Sequence, residues 1–212
     1  MDEDLPSVRV HGESFDTGLD PKTLFTGPLT AVWLEIGFGG GEHLAAQAGA
    51  HPAVGFIGAE IFENGVASLL RHRRDRGLTN IRVLMDDVRE VLPRLGDACL
   101  DRVFLLYPDP WPKRRHAKRR FVCPETLDQL ARLMPPGAEL RIATDHPVYA
   151  RWVLRQVPNH PAFRWQVAGP ADWRVPPPDS VPTRYEDKAR KEGRTPMYLS
   201  FSRTDKGQGI AP

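Results

Sequence analysis

The chain has 212 residues, 41% of them hydrophobic, which is enough for one substantial core near the upper size of a single domain. Its formal net charge is only +2, so attraction to a polyanion must come from the placement of the basic residues and not from their total. The two cysteines, Cys99 and Cys123, argue against a disulfide framework or a cysteine-rich zinc site, and no apolar run approaches the roughly 20 residues that cross a bilayer. Since the N-terminus also lacks a signal-peptide pattern, we expect a soluble, cytoplasmic protein.

Five apolar runs bounded by turn signals alternate along the chain with segments of helical spacing. The runs "AVWLEIG", "VGFIGAEI", "IRVLM", "DRVFLLYP" and "ELRIATD" are predicted to be strands. Helices are predicted at "EHLAAQAGA", "ENGVASLLRHRRDRG", "DVREVLPRL", "CPETLDQLARLMPPG" and "HPVYARWVLRQVPN". Because the strands are continuously apolar, they must be buried on both faces, as in a parallel sheet covered by helices.

The composition changes after the fifth predicted helix. Seven of the 25 residues from 158 to 182 are proline, which favours a rigid, loop-rich connection over another helix. The runs "FRWQVAG" and "PMYLSFS" predict two closing strands. We therefore expect an α/β fold with a doubly wound, mostly parallel sheet of seven strands that ends in an antiparallel pair. Residues 1–28 would form an N-terminal extension, and residues 29–212 a single domain with a proline-rich insertion at about 158–182.

Carboxylates follow nearly every predicted strand. In doubly wound sheets, ligands bind beyond the carboxyl ends of the strands, so these acids should lie at one edge. The acids in question are Glu35, Glu60, Asp86, Asp87, Asp109 and Asp145.

The glycine-rich stretch "EIGFGGGEH" favours a nucleoside ligand that carries no phosphate. Gly37 and Gly39 permit a tight turn and close backbone approach, although glycines also serve ordinary turns. Glu60 lies about where an acid meets the ribose hydroxyls in nucleoside-binding folds. Glu42 replaces the glycine that a dinucleotide site prefers, and together with Glu35 it would repel pyrophosphate. S-adenosylmethionine, a cationic nucleoside, fits these residues, with Glu60 on the ribose and Glu35 and the glycines facing the methionine portion.

The adjacent acids Asp86 and Asp87 have two competing interpretations. One is an acceptor for the adenine amino group, for which we favour Asp87. The other is an N-cap for the helix predicted at "VREVLPRL". The sequence leaves open which of the two acids contacts adenine.

Five stretches together resemble the bacterial tRNA (guanine-N7)-methyltransferase family: "EIGFGGGEH", "GAEI", "DPWPKRRHAKRRFV", "TDHPVYA" and "TRYEDKARKEGRTPMYLSF". The resemblance spans about residues 33 to 201. It implies a class I methyltransferase fold, with S-adenosylmethionine as methyl donor and S-adenosylhomocysteine as product. It also implies a guanine in the tRNA variable loop, at position 46, as the acceptor. We expect tRNA as the partner, no metal and no membrane, and either a monomer or a homodimer.

Methyl transfer to N7 of guanine needs no general base, because that nitrogen carries a free lone pair. The requirement is positioning and stabilisation of a purine that becomes cationic. Asp109, held among three prolines, is the predicted catalytic carboxylate and is expected to lie against the donor; the resemblance implies the same position. Whether Trp111 stacks on the base or only braces the loop is left open.

The base-pairing edge of guanine presents hydrogen-bond donors, so an unstacked guanine needs acceptors, and Asp145 and Glu186 are candidates. The resemblance implies further substrate contacts at Lys113, Thr183, Arg184, Tyr185 and Glu186. The neighbouring cations are predicted to hold RNA phosphates. These cations are Arg114, Arg115, Lys118, Arg119 and Arg120.

Three other functions compete with this one. A methyltransferase for exocyclic amino groups uses a Pro-Pro-aromatic turn, but Trp111 separates the prolines here. A nucleotide-dependent dehydrogenase is disfavoured by Glu42. A non-catalytic RNA-binding module of the same fold remains, although the retained acids argue against it. The arginines of "RHRRDR" have the simpler interpretation of a solvated helix face.

Overall fold

A computed structural model describes residues 4–205 of the protein. Eight strands form one mixed sheet. They are β1 (Arg9–Val10), β2 (Ala31–Ile36), β3 (Val54–Ala59), β4 (Ile81–Leu84), β5 (Arg102–Leu106), β6 (Glu139–Thr144), β7 (Phe163–Trp165) and β8 (Met197–Arg203). Their order across the sheet is β1-β4-β3-β2-β5-β6-β8-β7, in which only β8 runs antiparallel to its neighbours β6 and β7.

The described residues also form seven α-helices and five 3-10 helices. The α-helices are α1 (Glu42–Ala50), α2 (Glu63–Asp75), α3 (Val88–Val91), α4 (Pro124–Leu133), α5 (Pro147–Gln156), α6 (Ala171–Arg174) and α7 (Arg184–Lys191). The 3-10 helices are Leu5–Ser7, Gly12–Ser14, Pro21–Leu24, Leu92–Arg94 and Arg114–Arg119. Within residues 4–205, no helix has the length and apolar character needed to cross a membrane.

The predicted doubly wound α/β fold is confirmed, with one strand more than expected. The additional strand, β1, comes from the predicted N-terminal extension and pairs in parallel with β4, joining Val10 to Leu84. Two residues are too short a run for apolar periodicity to reveal. Part of the extension is therefore built into the edge of the sheet.

The core lies on both faces of the sheet, as the continuously apolar strands predict. All six residues of β3 are buried. Alternate residues point to opposite faces, so Leu34 packs among residues of α4 and α5 such as Leu127 and Tyr149, whereas Phe56 packs with Leu44 and other residues of α1 and α2. Because helices cover both faces of the sheet, a functional site is expected at the edges of the sheet.

The proline-rich segment is fixed to the sheet by a network of charges. Asp179 accepts hydrogen bonds from Arg141 at 2.7 Å and Arg102 at 3.0 Å, and Glu139 pairs with the same two arginines. Gln47 of α1 donates to the main-chain oxygen of Asp179 at 2.6 Å. Partial burial acts to raise the pKa of Asp179, but the two guanidinium groups more than offset it and lower that pKa. This anchor sets where the following helix, α7, begins.

Helix α7 was not predicted from the sequence. Only two of its eight residues, Glu186 and Ala189, are buried, so it shows no apolar stripe. Its start is nevertheless well defined, because the Thr183 hydroxyl accepts a hydrogen bond from the main-chain nitrogen of Glu186 at 3.2 Å. An N-cap of this type was present in the sequence as "TRYE" and could have indicated the helix.

Candidate functional site

The glycine loop (residues 37–41) joins β2 to α1 at the carboxyl edge of the sheet. Gly37, Gly39 and Gly41 have φ values of +68°, +57° and +79°, a region that other residues rarely adopt. A Cβ placed on Gly39 would lie 2.6 Å from the ring of Tyr185. Backbone conformation and lack of space therefore both require glycine at this position.

Glu60, which follows β3, holds the glycine loop in place. Its buried carboxylate accepts from the main-chain nitrogen of Gly39 at 2.9 Å and from that of Phe62 at 3.0 Å. A carboxylate has about four acceptor sites, of which these bonds use two. Glu60 is therefore a structural clamp in addition to any role toward a ligand.

Glu35 lies beneath the loop and is paired. Its carboxylate is 2.7 Å from Nδ1 of His43, and both side chains are buried. The ring of Phe104 packs edge-on against His43, at 4.8 Å between centroids. Glu35 was expected to face the methionine portion of the donor, and its pairing with His43 was not predicted. The only signal in the sequence is the position of the histidine next to the loop in "GGGEH".

The two adjacent acids have separate partners. Asp87 is the N-cap of α3, accepting from the main-chain nitrogen of Arg89 at 3.0 Å, and its side chain is exposed. Asp86 accepts from the main-chain nitrogen of Gly12 at 3.2 Å. Contact between Asp87 and adenine remains a prediction, with one carboxylate oxygen committed to the cap.

Two exposed apolar side chains beside Glu60 were not recognised from the sequence. Ile61 is 61% exposed and Phe62 is 69% exposed. The apolar run "VGFIGAEI" suggested that Ile61 belongs to a strand, but β3 ends at Ala59. Large apolar groups next to an acid at a strand end provide a surface on which a planar ring can pack.

Asp109 lies in a turn whose backbone is strained on both sides. Tyr107 has φ +52° and Trp111 has φ +41°, in the left-handed region that bulky residues avoid. Such conformations cost about 1–3 kcal/mol each and cluster at functional sites. Asp109 itself is exposed and forms no hydrogen bond or ion pair with the described residues. We call residues 107–112 the aspartate turn.

The position of Arg120 corrects its predicted role as a phosphate contact. Its side chain is buried, and the guanidinium donates to the main-chain oxygens of Pro110 at 3.1 Å and Trp111 at 2.8 Å. It also lies 4.6 Å from the centroid of the Trp152 ring. Arg120 therefore holds the aspartate turn from within and is not free to meet RNA.

The other predicted phosphate contacts are on the surface. Most of them lie in the 3-10 helix Arg114–Arg119 that follows the aspartate turn. The guanidinium of Arg119 stacks 4.7 Å from the centroid of Trp111, and His116 packs edge-on against the same ring. These contacts support the bracing role for Trp111. The exposed cations of this stretch are Lys113, Arg114, Arg115, Lys118 and Arg119.

Both acids expected to recognise guanine have cationic partners. Asp145, just after β6, is 2.5 Å from Nε of Arg194. Glu186 is buried and accepts from Arg190 at 2.8 Å and from the hydroxyl of Tyr198 at 2.7 Å. Glu186 is thus a buried structural anchor of α7, and any recognition of guanine by Asp145 must compete with Arg194.

A partly buried tyrosine, Tyr107, shares a cavity with residues of α7 and so links that helix to the aspartate turn. The hydroxyl of Tyr107 forms no hydrogen bond with the described residues but lies in a small cavity lined also by Glu186, Tyr198 and Thr183. Burial, followed by the negative charge of Glu186, raises the pKa of Tyr107. The strained residue of the turn and the first turn of α7 therefore share one pocket.

The stretch "TRYE" (residues 183–186) reaches the glycine loop through Tyr185. That side chain is 45% exposed and covers Gly39. The guanidinium of Arg184 lies 5.3 Å from the Tyr185 ring and lines a surface depression together with Arg71 and Arg74 of α2. Elements more than 140 residues apart in the sequence, Gly39 and Tyr185, thus meet at one edge.

Comparisons with known proteins agree with this arrangement. Residues 30–199 match a family described as "Putative methyltransferase". The tRNA (guanine-N(7)-)-methyltransferase of Rhodospirillum rubrum is 54% identical over 205 residues, which cover 96% of this chain and 80% of that protein. The protein of the same name from Paramagnetospirillum magneticum is 50% identical over 200 residues, covering 94% and 83%. This chain belongs to the tRNA (guanine-N7)-methyltransferase family.

The fold of the family is shared with more distant solved structures. The 16S rRNA methyltransferase KamB superposes with a TM-score of 0.60 at 16% identity, covering 93% of this chain and 99% of that one. At that identity the likeness concerns the fold alone. It confirms the class I methyltransferase architecture that the sequence motifs imply.

The brace by Arg120 predicts a stability difference between two adjacent arginines. Arg120→Ala should lower the free energy of unfolding by about 2–4 kcal/mol, because it removes two charge-assisted hydrogen bonds to main-chain oxygens. Arg119→Ala, the matched control, should cost about 1 kcal/mol or less, since it loses only a surface stacking contact. Urea unfolding of both variants measures the difference, and equal losses would contradict the brace.

Proposed function

We propose that this protein methylates N7 of a guanine in tRNA, at position 46 of the variable loop, with S-adenosylmethionine as the donor. The single observation that carries the proposal is the meeting of the glycine loop with residues 183–186 at the edge where Asp109 is exposed. This brings the predicted donor site and the predicted acceptor site together. We further propose that residues 29–212 act as one catalytic domain, with the insertion at about 158–182 anchoring α7.

The residues of the glycine loop fit S-adenosylmethionine. The open side of Gly37, where an added Cβ would meet nothing within 4 Å, allows a ligand to approach the backbone closely. Glu60 and Asp87 supply acceptors toward the ribose hydroxyls and the adenine amino group, and the exposed Ile61 supplies an apolar surface for the ring. When bound, the donor supplies an electrophilic methyl group on a sulfonium.

Asp109 provides the electrostatic part of the mechanism. The acceptor nitrogen needs no deprotonation, so the carboxylate acts by stabilising positive charge as it develops on the purine. No cation among the described residues pairs with this carboxylate, so the protein does not offset its attraction for positive charge on the purine. Arg120 holds the strained turn through its main-chain oxygens and so fixes the position of Asp109, which lowers the reorganisation needed during the reaction.

The exposed cations of the neighbouring 3-10 helix provide the means of holding the RNA. Lys113, Arg114, Arg115 and Lys118 lie within ten residues of Asp109. Phosphate contacts at this distance would position the nucleotide while its base enters the acidic edge. Metal assistance is not part of the proposal, because a purinium and a thioether product need no Lewis acid.

The proposed function is tested directly by product analysis. Wild-type protein is incubated with donor labelled in the methyl group and with unmodified tRNA, and the RNA is then digested to nucleosides. We expect label in 7-methylguanosine, and its loss when position 46 is changed to another base. Label in a different nucleoside would contradict the proposal, and absence of transfer despite donor binding would favour the non-catalytic module.

Donor binding should depend on Glu60. Glu60→Ala removes both the clamp on Gly39 and an acceptor for the ribose, so we expect the donor affinity to fall by about tenfold or more, equivalent to about 1.4 kcal/mol. Glu63→Ala is the matched control, because Glu63 is exposed in the first turn of α2. Calorimetry with S-adenosylhomocysteine measures both. Unchanged affinity in a folded Glu60→Ala variant would remove Glu60 from the donor site.

Asp109→Asn should separate electrostatic stabilisation from positioning. Asparagine keeps the shape and one carbonyl acceptor but loses the charge, so single-turnover methylation should slow by about 100-fold or more, with donor affinity nearly unchanged. Asp75→Asn, at an exposed position at the end of α2, controls for loss of one negative charge. A near wild-type rate for Asp109→Asn at saturating tRNA would show that Asp109 only holds the turn.

A further inference from the structure

An open groove runs between the basic 3-10 helix and α5. Its volume is about 510 Å³, and its lining includes Pro112 and Trp152. The groove begins three residues after Asp109 and follows the exposed face of α5 as far as Arg155. It is therefore continuous with the aspartate turn. We call it the basic groove.

Four arginines line the basic groove; Arg120 is buried and bonds to the aspartate turn, and the other three are exposed without carboxylate partners. Arg114, Arg151 and Arg155 are exposed, and none of them forms an ion pair with the described residues. No acidic side chain lines the groove, in contrast to the depression beside α2, where Asp4 pairs with Arg74 at 3.8 Å. The local excess of positive charge favours the binding of an anionic partner.

The placement of Arg151 and Arg155 is unfavourable for the helix that carries them. They are four residues apart, about 6 Å along α5, and therefore lie on one face. Like charges at this spacing destabilise a helix by about 0.2–0.5 kcal/mol, although Arg155 gains partly from its position in the last turn. Since Trp152 is satisfied by its own hydrogen bond to Val122 at 2.7 Å, the two arginines are not needed to hold it.

We propose that the basic groove binds the phosphate backbone of tRNA on the side of the target nucleotide, through Arg151 and Arg155 together with Arg114. This inference rests on the proposed function, and it adds α5 to the RNA-binding surface that the sequence placed only in residues 113–120. The partner is a polynucleotide and not a single phosphate, because the three cations are spread along a groove that leads away from Asp109. Contacts of this kind position the RNA without reading its sequence.

The test measures binding of an unmodified tRNA transcript, with S-adenosylhomocysteine present so that no methyl is transferred. Removing two phosphate contacts in an Arg151→Ala/Arg155→Ala variant should make the slope of log affinity against log salt shallower by about 1–2 units. Arg151→Lys/Arg155→Lys keeps the charges and should retain most of the slope. The affinity for S-adenosylhomocysteine should be unchanged in both variants.

A matched control removes two exposed cations that do not line the groove. Lys22 lies before β2 and Arg76 lies just after α2, and both are far in sequence from the residues of the groove. The variant Lys22→Ala/Arg76→Ala should therefore leave the salt slope at its wild-type value. If circular dichroism shows that Arg151→Ala/Arg155→Ala is poorly folded, Arg151→Gln/Arg155→Gln is used in its place. Glutamine removes the charge but keeps more of the side-chain packing.

An unaltered slope in the folded groove variant, or an equal loss in the control, would overturn the inference. The proposed function is judged separately, by product analysis of the wild-type protein. A wild-type protein that forms 7-methylguanosine while the groove variant keeps the full salt slope would support the function and exclude the groove. A shallower slope in the groove variant, without any methyl transfer by the wild type, would support the groove and exclude the function.

Discussion

The hydrogen bond from the main-chain nitrogen of Gly39 to Glu60 is the contact around which the site is built. It joins the loop after β2 to the residue that follows β3, and so fixes the relative position of two neighbouring strand ends. Gly65 of α2 packs against the same loop, where a side chain would collide with the oxygen of Gly39. Tyr185 covers the other side. A buried carboxylate is costly unless its acceptors are used, and here the backbone uses two of them.

The aspartate turn is held by a different device. Two bulky residues in left-handed conformations would relax if the chain were free, so the surrounding structure must oppose them. Arg120 does so by bonding to the two oxygens at the centre of the turn, and Trp152 covers the guanidinium. The buried guanidinium of Arg120 therefore stabilises the strained turn, and the turn keeps the carboxylate of Asp109 exposed in a fixed position.

Apolar periodicity predicted most of the fold, because burial on two faces leaves a clear pattern. The five parallel strands and the closing antiparallel pair were confirmed. Helix α7 was missed for the converse reason: it is attached through Thr183, Tyr185 and Glu186 and not through an apolar stripe. Predicting this helix would have required relying on Thr183 as an N-cap signal although the segment has no hydrophobic periodicity.

The site was predicted less completely, since the residue types were identifiable but their partners were not. Arg120 stands in a run of cations and resembles its neighbours in every local respect. Its burial depends on main-chain oxygens that the positive φ values turn toward it, which no pattern of side chains shows. Likewise, the pairing of Asp145 with Arg194 joins residues 49 positions apart. Strand ends are predictable from the sequence, whereas side-chain partners across the edge are a property of the assembled fold.

These pairings answer a difficulty raised by the sequence, namely how an edge rich in carboxylates could approach a polyanion. Asp145 is matched by Arg194 and Glu186 by Arg190, and Glu35 is buried against His43, so these three acids present little uncompensated charge to solvent. At physiological salt, exposed charges act over about 8 Å, and paired charges over less. Asp109 is the exception among the acids compared here, because it is exposed and no described residue neutralises it. The edge can therefore admit RNA while presenting Asp109 as an exposed, unpaired carboxylate where a cationic purine would form.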